Sequence, residues 1–274
     1  MVEPVGGGRI GGRGDGTRMV SLVDGEGRGF PVPVGVGVVD VRGLGVVDTD
    51  RFVGVGPGEV VRVNEREFFV AEPGLVDLLG VVRRGPQVVG LKDALVLVGR
   101  LGISAGKTVV EGGSGSGSLS IVLGYFVSPI GRVFSYDNRE EHLRVARKNV
   151  ESAGLGGVVY FKVGDIYKGV DERDVDAFVL DVPEPWRALE SAWRALKPGG
   201  WLGCFVPTYN QAERVMREAM EMGFLAVRCT ETLEREMVLV GKGDCRGMRP
   251  SFDMLGHTGF VVTMRRGAGR GGGG

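Results

Sequence analysis

The chain has 274 residues and a mass of 29.1 kDa, enough to bury a full core and to carry one catalytic domain with a small companion. Its 34 basic and 34 acidic residues balance, which excludes a global basic field for nucleic acid and leaves such contacts to local patches. No apolar run reaches the length of a membrane span, no signal-peptide core opens the chain, and Cys204, Cys229 and Cys245 show no C-x-x-C spacing, so a cytoplasmic protein without a metal site is expected. Many of the 50 glycines lie in Gly6 to Gly16 and Gly267 to Gly274, and without any apolar period there, disorder is expected over 1–18 and a flexible tail over 267–274. Arginine outnumbers lysine, which suits phosphate binding and equally suits a GC-rich genome.

From Met19 to about Val70, short valine-rich runs alternate with turn residues: Val20 to Val23, Val36 to Val41, Phe52 to Val55 and Val60 to Val63. This spacing predicts a small all-β domain over 19–72, followed by a larger domain over 73–266. A helix is expected over Glu72 to Val82, where Leu75, Leu78, Leu79 and Val82 recur at helical spacing. Arg83-Arg84-Gly85-Pro86-Gln87 and Leu91-Lys92-Asp93-Ala94 follow, with Asp93 a candidate cap for a helix over Ala94 to Leu101.

Thr108 to Gly117 reads T-V-V-E-G-G-S-G-S-G, an apolar run that ends in Glu111 and opens into a glycine loop. The glycines let the backbone turn sharply and approach a ligand closely. A dinucleotide fingerprint needs G-x-G-x-x-G/A, and either register from Gly113 or Gly115 places a serine third. Glu111 would repel a pyrophosphate but suits a ligand carrying an ammonium and a sulfonium. Leu119 to Val127 is then the helix whose N-terminus faces that ligand.

Beyond the loop, strands are expected at Arg132 to Tyr136, Val158 to Val163, Val175 to Leu180, Trp201 to Val206, Leu225 to Leu233 and Thr258 to Met264. Helices are expected at Glu140 to Ala153, Pro185 to Leu196 and Gln211 to Met222. The alternation predicts a doubly wound α/β domain with a parallel sheet, in which strand ends line the ligand crevice. Four successive strands end in a carboxylate: Glu111, Asp137, Asp165 and Asp181. Asp137, twenty residues past Gly117, stands where a carboxylate takes two ribose hydroxyls. Asp165 stands where one accepts from an adenine amine, and Asp181 opens D-V-P-E-P-W, whose Trp186 offers a face for packing or stacking.

The glycine motif is similar to the first motif of class I S-adenosylmethionine (SAM) methyltransferases. The whole from Val20 to Arg266 resembles the TrmI-type tRNA (adenine-N1)-methyltransferases of archaea and bacteria. The resemblance rests on R-R-G-P-Q with K-D-A, S-Y-D (Ser135 to Asp137), D-V-P-E-P-W, P-T-Y-N-Q (Pro207 to Gln211), R-P (Arg249, Pro250) and H-T-G-F (His257 to Phe260). It implies a Rossmann-like SAM-dependent domain with a small N-terminal β domain, and a homotetramer that methylates N1 of adenine 58, or also 57, in the tRNA T loop.

It further implies SAM contacts from Glu111, Gly113, Ser114, Gly115, Ser116, Gly117, Ser118, Asp137, Asn138, Asp165, Ile166, Gln87 and Asp181. Asp181 would also orient the target adenine, with Trp186, Tyr209, Arg83, Arg84 and Arg249 as further tRNA contacts. Glu234 is a lesser candidate for cofactor or base contact, and His257, which a structural place would suit as well, is given no acid/base role. Where the family carries Tyr-Pro before K-D, this chain has Gly90-Leu91, so Tyr209 or Trp186 is left to compensate. Cys204 and Cys229 are candidates for a disulfide between subunits, on the precedent of hyperthermophile proteins. Two other readings remain open: an isoaspartyl-type protein methyltransferase, and a noncatalytic tRNA-binding partner subunit.

Overall fold

The computed structural model describes residues 18–80, 82, 89–241 and 247–268. The first third carries strands β1 (Met19–Val23), β2 (Gly29–Pro33), β3 (Val38–Val41), β4 (Gly45–Asp48), β5 (Val60–Val63) and β6 (Arg66–Ala71), then helices α1 (Leu75–Gly80) and α2 (Leu91–Leu101). Next come β7 (Thr108–Gly112), α3 (Ser118–Val127), β8 (Arg132–Asp137), α4 (Glu140–Ser152), β9 (Val159–Val163) and β10 (Val175–Leu180). The last third holds α5 (Leu189–Ala195), β11 (Leu196–Val206), α6 (Tyr209–Glu221), β12 (Leu225–Glu231), β13 (Met237–Val240), β14 (Gly247–Pro250) and β15 (Phe260–Arg265).

The chain divides into two compact units, Met1–Val88 with Ile103–Ile166, and Val89–Gly102 with Tyr167–Gly274. In the first, β2, β1, β6 and β5 form an antiparallel sheet and β3 pairs with β4. Their inward residues Val20, Leu22, Val32, Phe52, Phe68 and Val70 make a core of their own. Alternation drives this: β6 buries Phe68 and Val70 and exposes Phe69 between them, the two-residue period of a strand with one wet face. Phe52 to Val55 is not the expected strand. Asp50–Phe52 is a single 3₁₀ turn that drops Phe52 into the core, after Thr49 has used its hydroxyl on the carbonyl of Gly37.

In the same unit, β7, β8 and β9 run parallel, with Glu111 opposite Ser135 and Asp137 opposite Val163. Helix α3 is apolar almost all round and buried along most of its length, whereas α4 buries only Leu143, Ala146, Asn149 and Val150. Gly124 lets α3 approach the sheet, since a methyl there would stand 2.8 Å from the Val159 side chain.

In the second unit, β10 and β11 run parallel, while β15 lies antiparallel to β11 and β12 antiparallel to β15. Within this unit the strand order is β12, β15, β11, β10, and within the first it is β7, β8, β9, with helices between the strands in an α/β arrangement. The sheet is therefore mixed rather than wholly parallel, because the chain returns from β12 to β15 on the adjacent side without a crossover helix. Helix α2 starts at Leu91, one turn before the expected Ala94, and Gly90 rather than Asp93 stands at its N-cap. Asp93 is fully buried inside the helix instead.

The predicted Pro185 to Leu196 helix is a 3₁₀ turn, Pro185–Ala188, followed by α5, and β11 begins five residues before the expected Trp201. The antiparallel pair of β13 and β14 lies outside the expected strands; each has four residues, half of them exposed. Cys204 on β11 and Cys229 on β12 both lie opposite Val262 of β15, from its two sides. That puts them two strand spacings, about 9.5 Å, apart and beyond the reach of a bond within the chain. Cys204 is buried and Cys229 exposed. Among the described residues, no helix is long and apolar enough to cross a membrane.

Candidate functional site

Two clusters of candidate residues emerge, one in each unit. In the first, β7 delivers the chain to a loop that is tied back to β8, with Gly113 and Ser114 both donating N–H to the carbonyl of Tyr136, at 2.8 and 3.2 Å. Gly113, Gly115 and Gly117 all have positive φ, which L side chains rarely adopt. Gly117 also closes the loop on α4, where a Cβ would stand 3.0 Å from the Ala146 backbone. At Gly115 a Cβ would meet nothing within 4 Å, so the loop is open on that side. Asn149 of α4 pins the loop by donating to the carbonyl of Ser116 at 2.8 Å.

Asp137 ends β8 with 9% of its surface exposed. One carboxylate oxygen accepts the Arg139 N–H at 3.0 Å; the other accepts the Gly115 N–H at 3.1 Å and His142 Nδ1 at 3.2 Å. The expected ribose acid thus also ties the glycine loop to the end of β8. Asn138 is exposed beside it, Ser118 opens α3, Asp165 is half-buried two residues past β9, and Ile166 is buried.

Glu111 is fully buried. Ser120 donates to its Oε2 at 2.5 Å; Ser120 lies 3.3 Å from Ser135, and Ser135 2.6 Å from Ser114. This run of hydroxyls joins β7, β8, the loop and α3 through buried polar groups. Spacing offered no sign of it, because isolated serines carry no periodicity. The open face at Gly115, three positive-φ glycines and a strand-end carboxylate with acceptor capacity fit the nucleoside part of SAM.

In the second unit, the motif segments hold one another. Lys92 Nζ donates to Asp93 at 2.8 Å, to the Thr232 carbonyl at 2.7 Å and to the Thr258 hydroxyl at 2.6 Å, and Thr258 donates to Asp93 at 2.7 Å. K-D-A and H-T-G-F are therefore two halves of one buried network. Gly259 has no room for a side chain, since a Cβ would stand 2.5 Å from the Phe205 ring. His257 donates Nε2–H to the Pro207 carbonyl at 2.7 Å and Nδ1–H to Glu231 at 2.6 Å. Both acceptors favour the protonated imidazole and raise its pKa, the Pro207 carbonyl first. Both ring nitrogens are thereby engaged within the protein.

Tyr209 is 73% exposed at the start of α6, its ring 4.5 Å from Phe260, and Phe260 is also 4.9 Å from His257. Gln211 donates to the Pro183 carbonyl at 2.9 Å, so P-T-Y-N-Q braces the D-V-P-E-P-W loop. Trp186 lies under Arg214, 4.3 Å from ring centre to guanidinium carbon. Asp181, one residue past β10, is half-buried, and burial pushes its carboxyl up to about 6. Arg249 donates to the Pro250 carbonyl and lies 3.8 Å over Phe252; Glu234 is exposed. Arg83, Arg84 and Gln87 lie outside the described residues, as does Cys245. No group of three or more His, Cys, Asp or Glu able to hold a metal occurs among the described residues.

Comparison with known proteins matches residues 80–243 to the family "tRNA methyltransferase complex GCD14 subunit". A tRNA (adenine(57)-N(1)/adenine(58)-N(1))-methyltransferase TrmI of Methanocaldococcus jannaschii is 34% identical, over 81% of this chain and 86% of its own. A tRNA (adenine(58)-N(1))-methyltransferase TrmI of Thermus thermophilus is also 34% identical, over 89% and 95%. Among solved structures, a SAM-dependent O-methyltransferase from Thermotoga maritima aligns with a TM-score of 0.73 at 31% identity, over 92% of this chain and 94% of that one. The tRNA (m1A58) methyltransferase TrmI from Aquifex aeolicus aligns with a TM-score of 0.67 at 26% identity, over 93% and 98%. With its glycine loop, strand-end acids and interlocked motifs in place, the chain belongs to the TrmI-type tRNA methyltransferase family.

Proposed function

We propose that the protein transfers a methyl group from SAM to N1 of adenine 58 in the T loop of tRNA. The observation that carries the reading is Asp181, a half-buried carboxyl at the end of β10, held in a proline-stiffened loop and pushed up to about 6 by burial. A hydrogen bond from a base amine is stronger at such a partly desolvated carboxyl than in water. When bound, SAM supplies an electrophilic methyl on a sulfonium whose leaving group is a neutral thioether. The chain's contribution is positioning.

Asp137 would accept the ribose hydroxyls, Asp165 the adenine amine with Ile166 beside the ring, and Gly113 to Ser118 would line the methionyl side. Glu111, fully buried and bonded to Ser120, would support that side from within the fold. Asp181 would accept from the exocyclic amine of the target adenine and stabilise the positive charge that grows as N1 is alkylated. N1 is shielded inside a structured T loop, so the base must be extruded first. Tyr209, exposed and backed by Phe260, offers the stacking face that Gly90-Leu91 cannot. Trp186, already covered by Arg214, suits a supporting place. Arg249 would reach the tRNA only by leaving Phe252.

The name of the Methanocaldococcus relative supports a second target, adenine 57, for the same site. The apolar side chains exposed on the edge strand and beyond it, Leu225, Met237, Leu239, Met248 and Phe252, support assembly of like subunits, for which we propose a homotetramer. Within it Cys229, the exposed cysteine of the described pair, is the candidate for a bond to a partner. Nucleoside mass spectrometry of a methylated tRNA transcript tests the reaction. 1-Methyladenosine in the T-loop fragment is the expected product; methyl transfer to a peptide carrying isoaspartate, without transfer to tRNA, would instead establish the protein methyltransferase reading.

A further inference from the structure

Asp137 carries more partners than the ribose role leaves room for. A carboxylate offers about four lone-pair positions. Three are taken: Arg139 N–H on one oxygen, and Gly115 N–H with His142 Nδ1 on the other. A vicinal diol needs two, and one remains. The two backbone donors are fixed, Arg139 by its place at the N-cap of α4 and Gly115 by the loop closed on Asn149 and Ala146. His142 is the movable one: it lies in the first turn of α4 on a side chain 29% exposed, joined to its own chain by rotatable bonds.

We propose that His142 and the ribose of the cofactor compete for Asp137, so that the imidazole must release the carboxylate for the diol to bind in full. His142 is then a positioning residue that sets nucleoside affinity. It holds the acid in its strand-end orientation and, by occupying one acceptor position, lowers the affinity for any ligand carrying both ribose hydroxyls. The inference rests on the cofactor reading given above.

The test is a binding cycle. S-adenosylhomocysteine and its 2′,3′-dideoxy analogue are titrated calorimetrically into the wild-type protein and into His142→Phe, which keeps a ring but cannot donate. Loss of one competing hydrogen bond predicts roughly three- to tenfold tighter binding of S-adenosylhomocysteine by the variant, and no change for the dideoxy analogue. Equal or weaker binding of S-adenosylhomocysteine, or the same change for both ligands, would overturn the proposal.

A second readout needs no variant. The chain has two histidines, and His257 lies in the other unit. In imidazole ¹⁵N spectra, S-adenosylhomocysteine is expected to shift the His142 Nδ1 signal to that of a nitrogen without its carboxylate partner, leaving His257 as reference. An unmoved His142 signal with ligand bound overturns this inference alone. No binding at all, or unchanged binding in Asp137→Ala, overturns the cofactor reading and the inference with it.

Discussion

The glycine loop of the first unit and the K-D-A and H-T-G-F pair of the second use carboxylates for opposite ends. Asp137 accepts two backbone N–H groups and an imidazole at the edge of an open loop, where a ligand can exchange with one of them. Asp93 is fully buried, and its partners are a lysine and a threonine that are bonded to each other as well. A carboxylate whose partners are exchangeable is placed for binding; one sealed with a cation is placed for architecture. By that standard the H-T-G-F segment is a clasp rather than a reacting group.

The comparison breaks most readily at Lys92. Lys92→Met leaves the Asp93 charge buried with Thr258 alone and is expected to cost about 3–5 kcal/mol, read as a lowered midpoint in urea denaturation. A cost near zero would remove the clasp. At the proposed contact to the target base, Asp181→Asn is expected to lower kcat by about 10²–10³-fold, the scale of one lost charge-stabilising group. Because burial raises the folded pKa of Asp181 to about 6 from 3.8, the folded state holds its proton where the unfolded chain has lost it, and stability falls as pH rises through that window. Asp181→Asn should therefore be more stable at pH 7, by on the order of 1–2 kcal/mol after allowance for partial exposure, while less active. A variant both inactive and less stable would make Asp181 architectural as well.

Smaller effects sharpen the clasp. Gly259→Ala forces a methyl into the Phe205 ring and is expected to destabilise by about 1–3 kcal/mol without altering S-adenosylhomocysteine affinity. His257, whose pKa is raised by the Pro207 carbonyl and Glu231, contributes stability that is full below the ordinary imidazole range and is lost as pH rises through its raised value. His257→Gln should flatten that alkaline slope in a thermal melt across pH 6 to 9, a minor change for so exposed a group.

Periodicity and strand-end chemistry carried much of this architecture. Alternating helices and strands marked the α/β domain, and Glu111, Asp137, Asp165 and Asp181 were located at strand ends from order alone. The misplacements have physical reasons. Asp93 looked like a cap because Asp favours caps, but its charge is consumed by Lys92 and Thr258, the latter 165 residues away. Phe52 to Val55 looked like a strand because valine and phenylalanine favour strands, yet the side-chain bond from Thr49 to Gly37 turns the backbone first. Glu111, the candidate for the methionyl side, is also held by Ser120, one of three linked serines from separate segments that leave no mark on local pattern. His142 escaped notice for the same reason: its only signal is five residues' separation from Asp137, which the first turn of α4 converts into a contact.

The central claim is methyl transfer to a T-loop adenine, and unmodified tRNA transcripts with labelled SAM test it most directly. Incorporation should persist when adenine 57 alone is replaced, fall sharply when 58 is replaced, and vanish when both are. Undiminished incorporation into the doubly substituted transcript would contradict the assignment.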